Sequence, residues 1–450
     1  MSNLVNITRR DNPNTIKLRR NQNVHNSILD YVGNTPLVKL NKIPKKHGVE
    51  CAIFVKCEFM NPAGSIKDRI GVAMMQDAKS AGVIKENTEF VEETSGNTGI
   101  AIAFNAAILG KKCTIVMDEK NSSEKVDTMR LMGAEVLKLK GGEIEVARQI
   151  KDKKPNTVVM LDQFVNHNNP RIHYDTTGAE IVSAMEKVDM AVMGAGTGGT
   201  ISGIGLKLKE TYPDCLVVAG EPEGSIMFNK FGKEHPFLVE GIGGHGNLIV
   251  LDRSIVDHFE DVTDQESFLM ARELAKEEGI LCGGSSGCAV AAAIKAARRF
   301  NIGAGKNVVV VLPDGIRNYM TKFVTDQWME ARLFMDPPER TMRRFVGAIS
   351  KDSLRNFATN PLKLPNSTTE EFNFEDPVTK HLAKDCYTLA ENGKKGKPTI
   401  GLLSRILDIT RFVIVGEEGH DNDTDSDYFI PKGVVTGSDV LQYIYELRKY

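Results

Sequence analysis

Four stretches of this sequence combine residue types that can do chemistry with glycines that bend the backbone around a small ligand. The first is Gly64-Ser65-Ile66-Lys67-Asp68-Arg69. Its spacing predicts that Ser65 caps a helix running through Ile70, Val72, Ala73, Met74 and Met75, with Asp68 completing a capping box. Lys67 then stands in the first turn, where the positive end of the helix dipole disfavours an ammonium. That misfit lowers its pKa, and an easily deprotonated lysine is the nucleophile that forms a Schiff base with an aldehyde. Taken alone, the stretch reads more simply as a solvated lysine near a helix start.

The other three stretches are glycine-rich loops, each predicted to follow a strand and open a helix, which is where open α/β sheets bind ligands. Thr94-Ser95-Gly96-Asn97-Thr98-Gly99 offers hydroxyls, an amide and helix N–H groups that suit a carboxylate. In Gly194-Ala195-Gly196-Thr197-Gly198-Gly199-Thr200, residues Gly194, Gly196 and Gly199 satisfy a dinucleotide fingerprint. Glu221 ends the next strand where an acid would hold a ribose hydroxyl, so one reading is an oxidoreductase. The other reading is a nest for one phosphate, with Thr197 and Thr200 adding hydroxyls. Cys282-Gly283-Gly284-Ser285-Ser286-Gly287 places Ser285 at a helix start, as an N-cap or as a partner for a heteroaromatic nitrogen. A dehydrogenase has no use for Lys67 or for the carboxylate-friendly loop. A phosphorylated aldehyde cofactor uses all four stretches.

The elements that must position these residues alternate. Predicted strands are 89–93, 113–117, 135–139, 157–164, 189–195, 216–220 and 307–312. Predicted helices are 100–109, one from a capping signal at Asn121-Ser122-Ser123-Glu124 to Gly133, then 143–153, 179–187, 201–210, 266–278 and 289–300. Strands apolar on both faces and separated by helices imply parallel sheets covered on both sides, and the length implies two lobes. Pro337-Pro338 and the basic run 340–344 mark a boundary, after which periodicity fades until strands at 411–416 and 433 onward. Between these, 417–427 reads as a solvated acidic loop. Ser426 and Lys432 stand where a calcium-binding EF-hand needs glycine and glutamate.

The chain has 450 residues, is 41% hydrophobic and 26% charged, and carries a formal net charge of −2. These values fit a globular chain of two or three domains and give no reason to expect nucleic acid or an anionic membrane as a partner. No apolar run is long enough to span a bilayer. The N-terminal tail, with Arg9, Arg10, Lys17, Arg19 and Arg20, lacks the apolar stretch of a secretory signal and reads as a disordered tail or a mitochondrial presequence. Seven scattered cysteines without C-x-x-C spacing suggest a reducing compartment, with the cytoplasm as default, and no structural metal.

In order along the chain, GNTPLV at 33–38, GSIKDR at 64–69, TSGNTG at 94–99, SSEKVD at 122–127, DQ at 162–163 and NPRIHYDTT at 169–177 are followed by GTGGT at 196–200, EPEGS at 221–225, CGGS at 282–285 and LPDGIRNYMTKF at 312–323. This series resembles the fold-type-II pyridoxal-phosphate enzymes, in the cysteine synthase/cystathionine β-synthase family. The resemblance implies a two-lobed, tryptophan synthase β-like α/β core at 28–336 and a flexible tail at 1–27. It also implies a linker and a small degenerate CBS-like α/β module at 337–450. It implies pyridoxal 5′-phosphate as cofactor, with Lys67 as Schiff-base lysine and later acid–base. Asn97 would donate to the ring hydroxyl, Gly196, Thr197, Gly198, Gly199 and Thr200 would hold the phosphate, and Ser285 would face the ring nitrogen. Thr94, Ser95, Thr98 and Gln163 would clamp the substrate carboxylate. The implied reaction is β-replacement on serine or cysteine by homocysteine, giving cystathionine with release of water or hydrogen sulfide, in a homodimer. Cysteine synthesis from O-acetylserine and sulfide, a serine/threonine dehydratase, and a cofactor-binding pseudoenzyme serving as a sensor are the alternatives.

The sequence also departs from that family. Animal members carry cysteine and histidine haem ligands before the core, whereas here no cysteine precedes Cys51 and only His25 is available, so haem is not expected. A C-x-x-C of some relatives is replaced by Tyr212-Pro213-Asp214-Cys215. After Gly241-Ile242-Gly243, where relatives place a tyrosine and an acid, stand Gly244 and His245. That loop borders the substrate in the family, which leaves the second substrate open. In the tail only 406–415 and 433–447 resemble a regulatory repeat, so an adenosyl-ligand site is not expected.

Overall fold

The computed structural model describes residues 24–94, 96–119, 121–228, 232–244, 248–332 and 334–335, and the strands at 387–390, 412–421 and 426–436. The chain forms two compact units, Met1–Tyr319 and Met320–Tyr450.

The first unit contains two sheets. One has six strands in the order β1 (Leu37–Lys39), β2 (Ala52–Cys57), β10 (Asn307–Leu312), β7 (Met190–Gly194), β8 (Leu216–Pro222) and β9 (His258–Val262); only the β1–β2 pair is antiparallel. The other has four parallel strands in the order β5 (Glu135–Leu139), β4 (Lys112–Asp118), β3 (Glu89–Glu93) and β6 (Val158–Val159). The run Val308-Val309-Val310-Val311-Leu312 is buried throughout, as is all of β7, because central parallel strands are covered on both faces. Each sheet has its own core. Ile70, Met74, Phe90, Ile102, Ile115 and Met129 fill one; Ile181, Met193, Ile201, Ile204, Val217 and Val309 fill the other. Burying such a side chain contributes about 1.5–3 kcal/mol. The two expected lobes are these two cores.

The helices are α1 (Ile43–Lys46), α2 (Lys67–Ser80), α3 (Asn97–Ile108), α4 (Ser123–Leu131), α5 (Glu143–Lys153), α6 (Asn168–Ile172), α7 (Ala179–Ala184), α8 (Gly199–Thr211), α9 (Asp264–Glu273) and α10 (Gly284–Arg299). A π-helical turn, His173–Gly178, joins α6 to α7, and another, Leu274–Glu278, extends α9. α6 and its π turn lie directly on α8. A Cβ on Gly203 would come within 2.1 Å of the Pro170 carbonyl oxygen. Only glycine allows that approach.

Several sequence expectations change. The capping box at α2 does not form: the helix starts at Lys67 after Ile66, and the Ser65 hydroxyl accepts from the Lys67 N–H at 3.1 Å. Asp68 instead reaches back to the Ala63 N–H at 2.7 Å. The strand expected over 157–164 shrinks to Val158–Val159, because the Glu92 carboxylate takes the N–H groups of Leu161, Asp162 and Gln163 that a longer strand would offer its neighbour. The loop holding Ser285 follows no strand; Cys282 makes an isolated bridge with Gly315. β1, β2 and β9 were not anticipated.

In the second unit α11 (Asp326–Glu330) is capped by Thr325, whose hydroxyl accepts from the Trp328 N–H at 3.3 Å. The strands β11 (Tyr387–Ala390), β12 (Phe412–Asp421) and β13 (Ser426–Thr436) form a three-stranded sheet, with β11–β12 parallel and β12–β13 antiparallel. This corrects the solvated-loop reading of 417–427: residues 417–421 and 426–427 are strand. Acids at every second position have the strand period, and the aromatic and β-branched residues Tyr428, Phe429 and Ile430 follow at once. The register shifts beside Pro431, which has no N–H to give the ladder. The rest of the expected repeat lies outside the described residues. Among the described residues no helix is long and apolar enough to cross a membrane, and no cluster of His, Cys, Asp and Glu could hold a metal ion.

Candidate cofactor and substrate site

The TSGNTG and GTGGT loops follow the C-terminal ends of β3 and β7, the ligand-binding edge of open parallel sheets, and the Ser285 loop and the Lys67 turn meet the end of β10 through the Cys282–Gly315 and Ser65–Asp314 bridges. Lys67 opens α2. The Ile66 N–H donates to the Pro313 carbonyl at 2.8 Å, and Ser65 bridges to Asp314, so this turn is tied to the end of β10. Burial lowers the Lys67 pKa to about 8. The sequence anticipated the direction but assigned it to the helix dipole; desolvation is the cause.

Two residues on, Arg69 is wholly buried and held by two carboxylates. Its Nε and Nη2 donate to Glu58 at 2.7 and 2.8 Å, and its Nη1 and Nη2 donate to Glu180 at 2.6 and 2.8 Å. Lys56, also buried, donates to Glu180 at 2.6 Å. Gly33 is glycine because its φ is +93° and a Cβ would lie 2.9 Å from Arg69 Nη1. This network fixes the turn that presents Lys67.

In the TSGNTG loop Gly96 has φ +140°, and a Cβ there would lie 2.3 Å from the Lys125 side chain, whose ammonium pairs with Glu240 at 2.6 Å. Asn97 is gripped at both amide atoms: Nδ2 donates to Asp314 Oδ2 at 2.8 Å, and Oδ1 accepts from Asn318 at 2.9 Å. Tyr319 donates to the same Asp314 oxygen at 2.6 Å. Asp314 Oδ1 is buried without a partner and lies where a Cβ on Gly283 would stand, next to the loop of Ser285. The Asp314 carboxyl thus joins the stretches of Lys67, Asn97 and Ser285, and burial raises its pKa. Thr98 Oγ1 donates to Gln163 Oε1 at 2.6 Å, both buried. Thr94 is buried and accepts the Gly96 N–H at 3.1 Å. Ser95 and His245 lie outside the described residues.

At GTGGT the chain is a cradle that side chains would fill. A Cβ on Gly196 would lie 2.4 Å from the Gly241 carbonyl oxygen, one on Gly198 2.5 Å from Leu251, and one on Gly199 2.1 Å from Asn169 Oδ1. Backbone N–H groups at the start of α8 and the hydroxyls of Thr197 and Thr200 suit a phosphate. Glu221 is buried and engaged, accepting from Ser225 Oγ at 2.7 Å and the Phe228 N–H at 3.0 Å, so it is not placed to hold a ribose. The dinucleotide reading falls. A lysine with a lowered pKa, a phosphate cradle and a gripped asparagine amide together fit a phosphorylated aldehyde cofactor.

Residues with no role in the sequence reading are Glu58, Glu180, Glu92, Asn169, His173 and Asp314. The motifs NPRIHYDTT and LPDGIRNYMTKF contained three of them, but nothing local marks their partners. Gly244 has φ +136°, and its N–H donates to Ser225 Oγ at 3.0 Å, which joins the GIGG loop to EPEGS.

The profile of the family described as pyridoxal-phosphate dependent enzyme matches residues 28–314. A cystathionine beta-synthase of Apis mellifera is 39% identical over 464 residues, covering 93% of this chain and 90% of that protein. The Saccharomyces cerevisiae cystathionine beta-synthase is 35% identical, with 93% and 87% covered. Among solved structures, an O-acetylserine dependent cystathionine beta-synthase from Helicobacter pylori has a TM-score of 0.62 and 35% identity, over 66% of this chain and 98% of that one. A hydrogen sulfide-producing enzyme from Fusobacterium nucleatum has a TM-score of 0.62 and 37% identity, over 66% and 100%. The chain belongs to the pyridoxal-phosphate dependent enzyme family and, within it, to the cystathionine β-synthase group.

Proposed function

We propose that the protein is a pyridoxal-phosphate enzyme of transsulfuration that replaces the β-substituent of serine or cysteine with homocysteine, giving cystathionine. The observation that carries this reading is Lys67, held at a lowered pKa of about 8 in a turn anchored to β10 and Arg69. The bound cofactor supplies an electron sink conjugated to the substrate Cα.

The chain's own residues do the rest. Lys67 Nζ would hold the cofactor's aldehyde carbon and, as a neutral amine, would take the substrate α-proton and later return one. The depressed pKa leaves roughly a tenth of the amine neutral at pH 7, far more than an ordinary lysine keeps, and a base requires that neutral form. Gly196, Thr197, Gly198, Gly199 and Thr200 would bind the phosphate, and Asn97 would donate its remaining Nδ2 proton to the ring hydroxyl. Ser285 would partner the ring nitrogen. A hydroxyl, unlike a carboxylate, does not hold that nitrogen protonated, which favours loss of the β-substituent over transamination. Thr94, Ser95, Thr98 and Gln163 orient the substrate carboxylate.

The decisive experiment supplies the loaded protein with serine or cysteine plus homocysteine and measures cystathionine by mass spectrometry. Cysteine formed only from O-acetylserine and sulfide would transfer the assignment to cysteine synthesis, whereas cystathionine formed only when O-acetylserine replaces serine would keep the reaction and change the donor, the dependence named for the Helicobacter pylori structure. No product from either pair would favour a cofactor-binding sensor. Free buried thiols at Cys51, Cys57, Cys113, Cys215, Cys282 and Cys288 suit a reducing cytoplasm, and a homodimer is the assembly we expect.

A further inference from the structure

Two buried side chains one helical turn apart, Asn169 on α6 and His173 on the π turn, meet the two threonines of the GTGGT loop. Asn169 Nδ2 lies 2.9 Å from Thr197 Oγ1, and His173 Nε2 lies 3.2 Å from Thr200 Oγ1. The fit is close: Gly199 and Gly203 on α8 carry no side chain where Asn169 Oδ1 and the Pro170 carbonyl oxygen approach.

The polarity of the first contact follows from its surroundings. The backbone oxygen of Gln163 only accepts, so the Asn169 atom 2.8 Å from it is the amide nitrogen. That nitrogen's second proton goes to Thr197 Oγ1, which also receives the Gly199 N–H at 3.4 Å. A hydroxyl has two lone pairs and one proton. With both lone pairs taken, the Thr197 proton is left to donate into the cradle. His173 meets Thr200 by one contact only. Its Nδ1 faces Thr177 Oγ1 at 3.0 Å, so with Thr177 donating to Nδ1, Nε2 carries the proton and Thr200 also becomes a donor into the cradle.

We propose that Asn169 and His173 are positioning residues that fix Thr197 and Thr200 as hydrogen-bond donors to a bound anion, with His173 in its Nε2–H tautomer. This rests on the reading of the loop as the seat of the cofactor phosphate. Burial, with the nearby charges of Lys67 and Arg69, holds the His173 pKa well below its ordinary value, so a single tautomer rather than a cation meets Thr200. The arrangement also explains why a loop of threonines needs support: a freely turning Thr200 hydroxyl would donate to an unprotonated His173 Nε2 as readily as to the anion.

The test uses the full chain, stripped of cofactor and titrated with either pyridoxal phosphate or pyridoxal, following the visible absorbance of the bound aldehyde. Asn169→Asp keeps the shape and removes the donor. It should weaken pyridoxal phosphate by about tenfold to a hundredfold, the cost of a lost hydrogen bond to an anion, and leave pyridoxal within about threefold. Thr197→Val should lose a similar factor, and Asn169→Asp/Thr197→Val little more than either alone. His173→Gln, which keeps a donor, should retain affinity that His173→Leu loses. Nitrogen-15 shifts of histidine in the loaded wild-type protein, assigned through His173→Gln, should report the Nε2–H tautomer. An Nδ1–H tautomer, fully additive losses, or equal losses for both aldehydes would overturn the proposal. If the wild-type protein itself takes up both aldehydes equally, the phosphate-loop reading fails first.

Discussion

Thr98 and Gln163 meet through one short hydrogen bond, the Thr98 hydroxyl donating to Gln163 Oε1 at 2.6 Å. The contact joins the start of α3 to the loop after β6, and it sets the direction of the amide. With Oε1 occupied, the Gln163 Nε2 group makes no hydrogen bond among the described residues and remains a donor for a carboxylate. Gln163→Ala should therefore raise KM for the amino-acid substrate by about tenfold to a hundredfold with a smaller change in kcat. Steady-state kinetics over serine concentration decides it; a fall in kcat at unchanged KM would remove Gln163 from the carboxylate clamp.

Lys67 gives a pH prediction. Its pKa is lowered from 10.5 to about 8, so the neutral, nucleophilic amine increases as pH rises through about 8. The rate of covalent cofactor capture by the stripped protein should rise with pH and level off above that value, well below the level expected of an ordinary lysine. Stopped-flow absorbance measures it. Lys67→Ala should abolish the visible band while leaving far-UV circular dichroism unchanged.

Gly196 tests the cradle. Alanine there would put a methyl group 2.4 Å from the Gly241 carbonyl oxygen, a backbone atom that yields only if the 241–244 loop shifts. Overpacking of this kind costs about 1–3 kcal/mol, so cofactor affinity should fall by about fivefold to a hundredfold. Gly241→Ala, whose methyl would meet open space but whose φ is +84°, should cost backbone strain instead and separate the two effects in thermal melts.

What the sequence disclosed divides along a physical line. Lys67, the TSGNTG loop and the GTGGT loop are each encoded by adjacent residues whose glycines, caps and hydroxyls act locally, and they were legible. So were β3, β5, α5 and β10, whose bounds match the predicted periodic runs. The contacts that complete the site were not. Asn97 meets Asp314 across more than half of the first unit's chain, and Arg69 meets Glu180 across 111 positions. Pairings of that kind depend on the fold as a whole and leave no periodic trace. β1 is short and mostly exposed and β9 short and mostly half-buried, both too weak as patterns to stand out from loop. Gly244 was noticed as a missing tyrosine, but only its φ of +136° reveals that the backbone itself differs there from one that accepts a side chain.

The Arg69 network carries the prediction about stability. Burial alone would raise the Glu180 pKa, but the hydrogen bonds and charges of Arg69 and Lys56 outweigh it and bring the pKa from 4.5 down to about 2. A carboxylate depressed in the folded state stabilises it above the unfolded pKa, and that contribution is lost as pH falls from 4.5 through 2. Arg69→Leu leaves the buried Glu58 carboxylate without its cation and Glu180 with Lys56 alone, and should destabilise the first unit by about 3–5 kcal/mol. Glu180→Gln should be less stable than wild type at neutral pH yet lose less on acidification, so the two denaturation midpoints should converge as pH falls toward 3. Urea titrations monitored by circular dichroism across that range measure the difference. Midpoints that stay parallel would show that Arg69 and Lys56 contribute nothing to holding Glu180 ionised, and that the turn presenting Lys67 is fixed by the Ile66–Pro313 and Ser65–Asp314 backbone contacts instead.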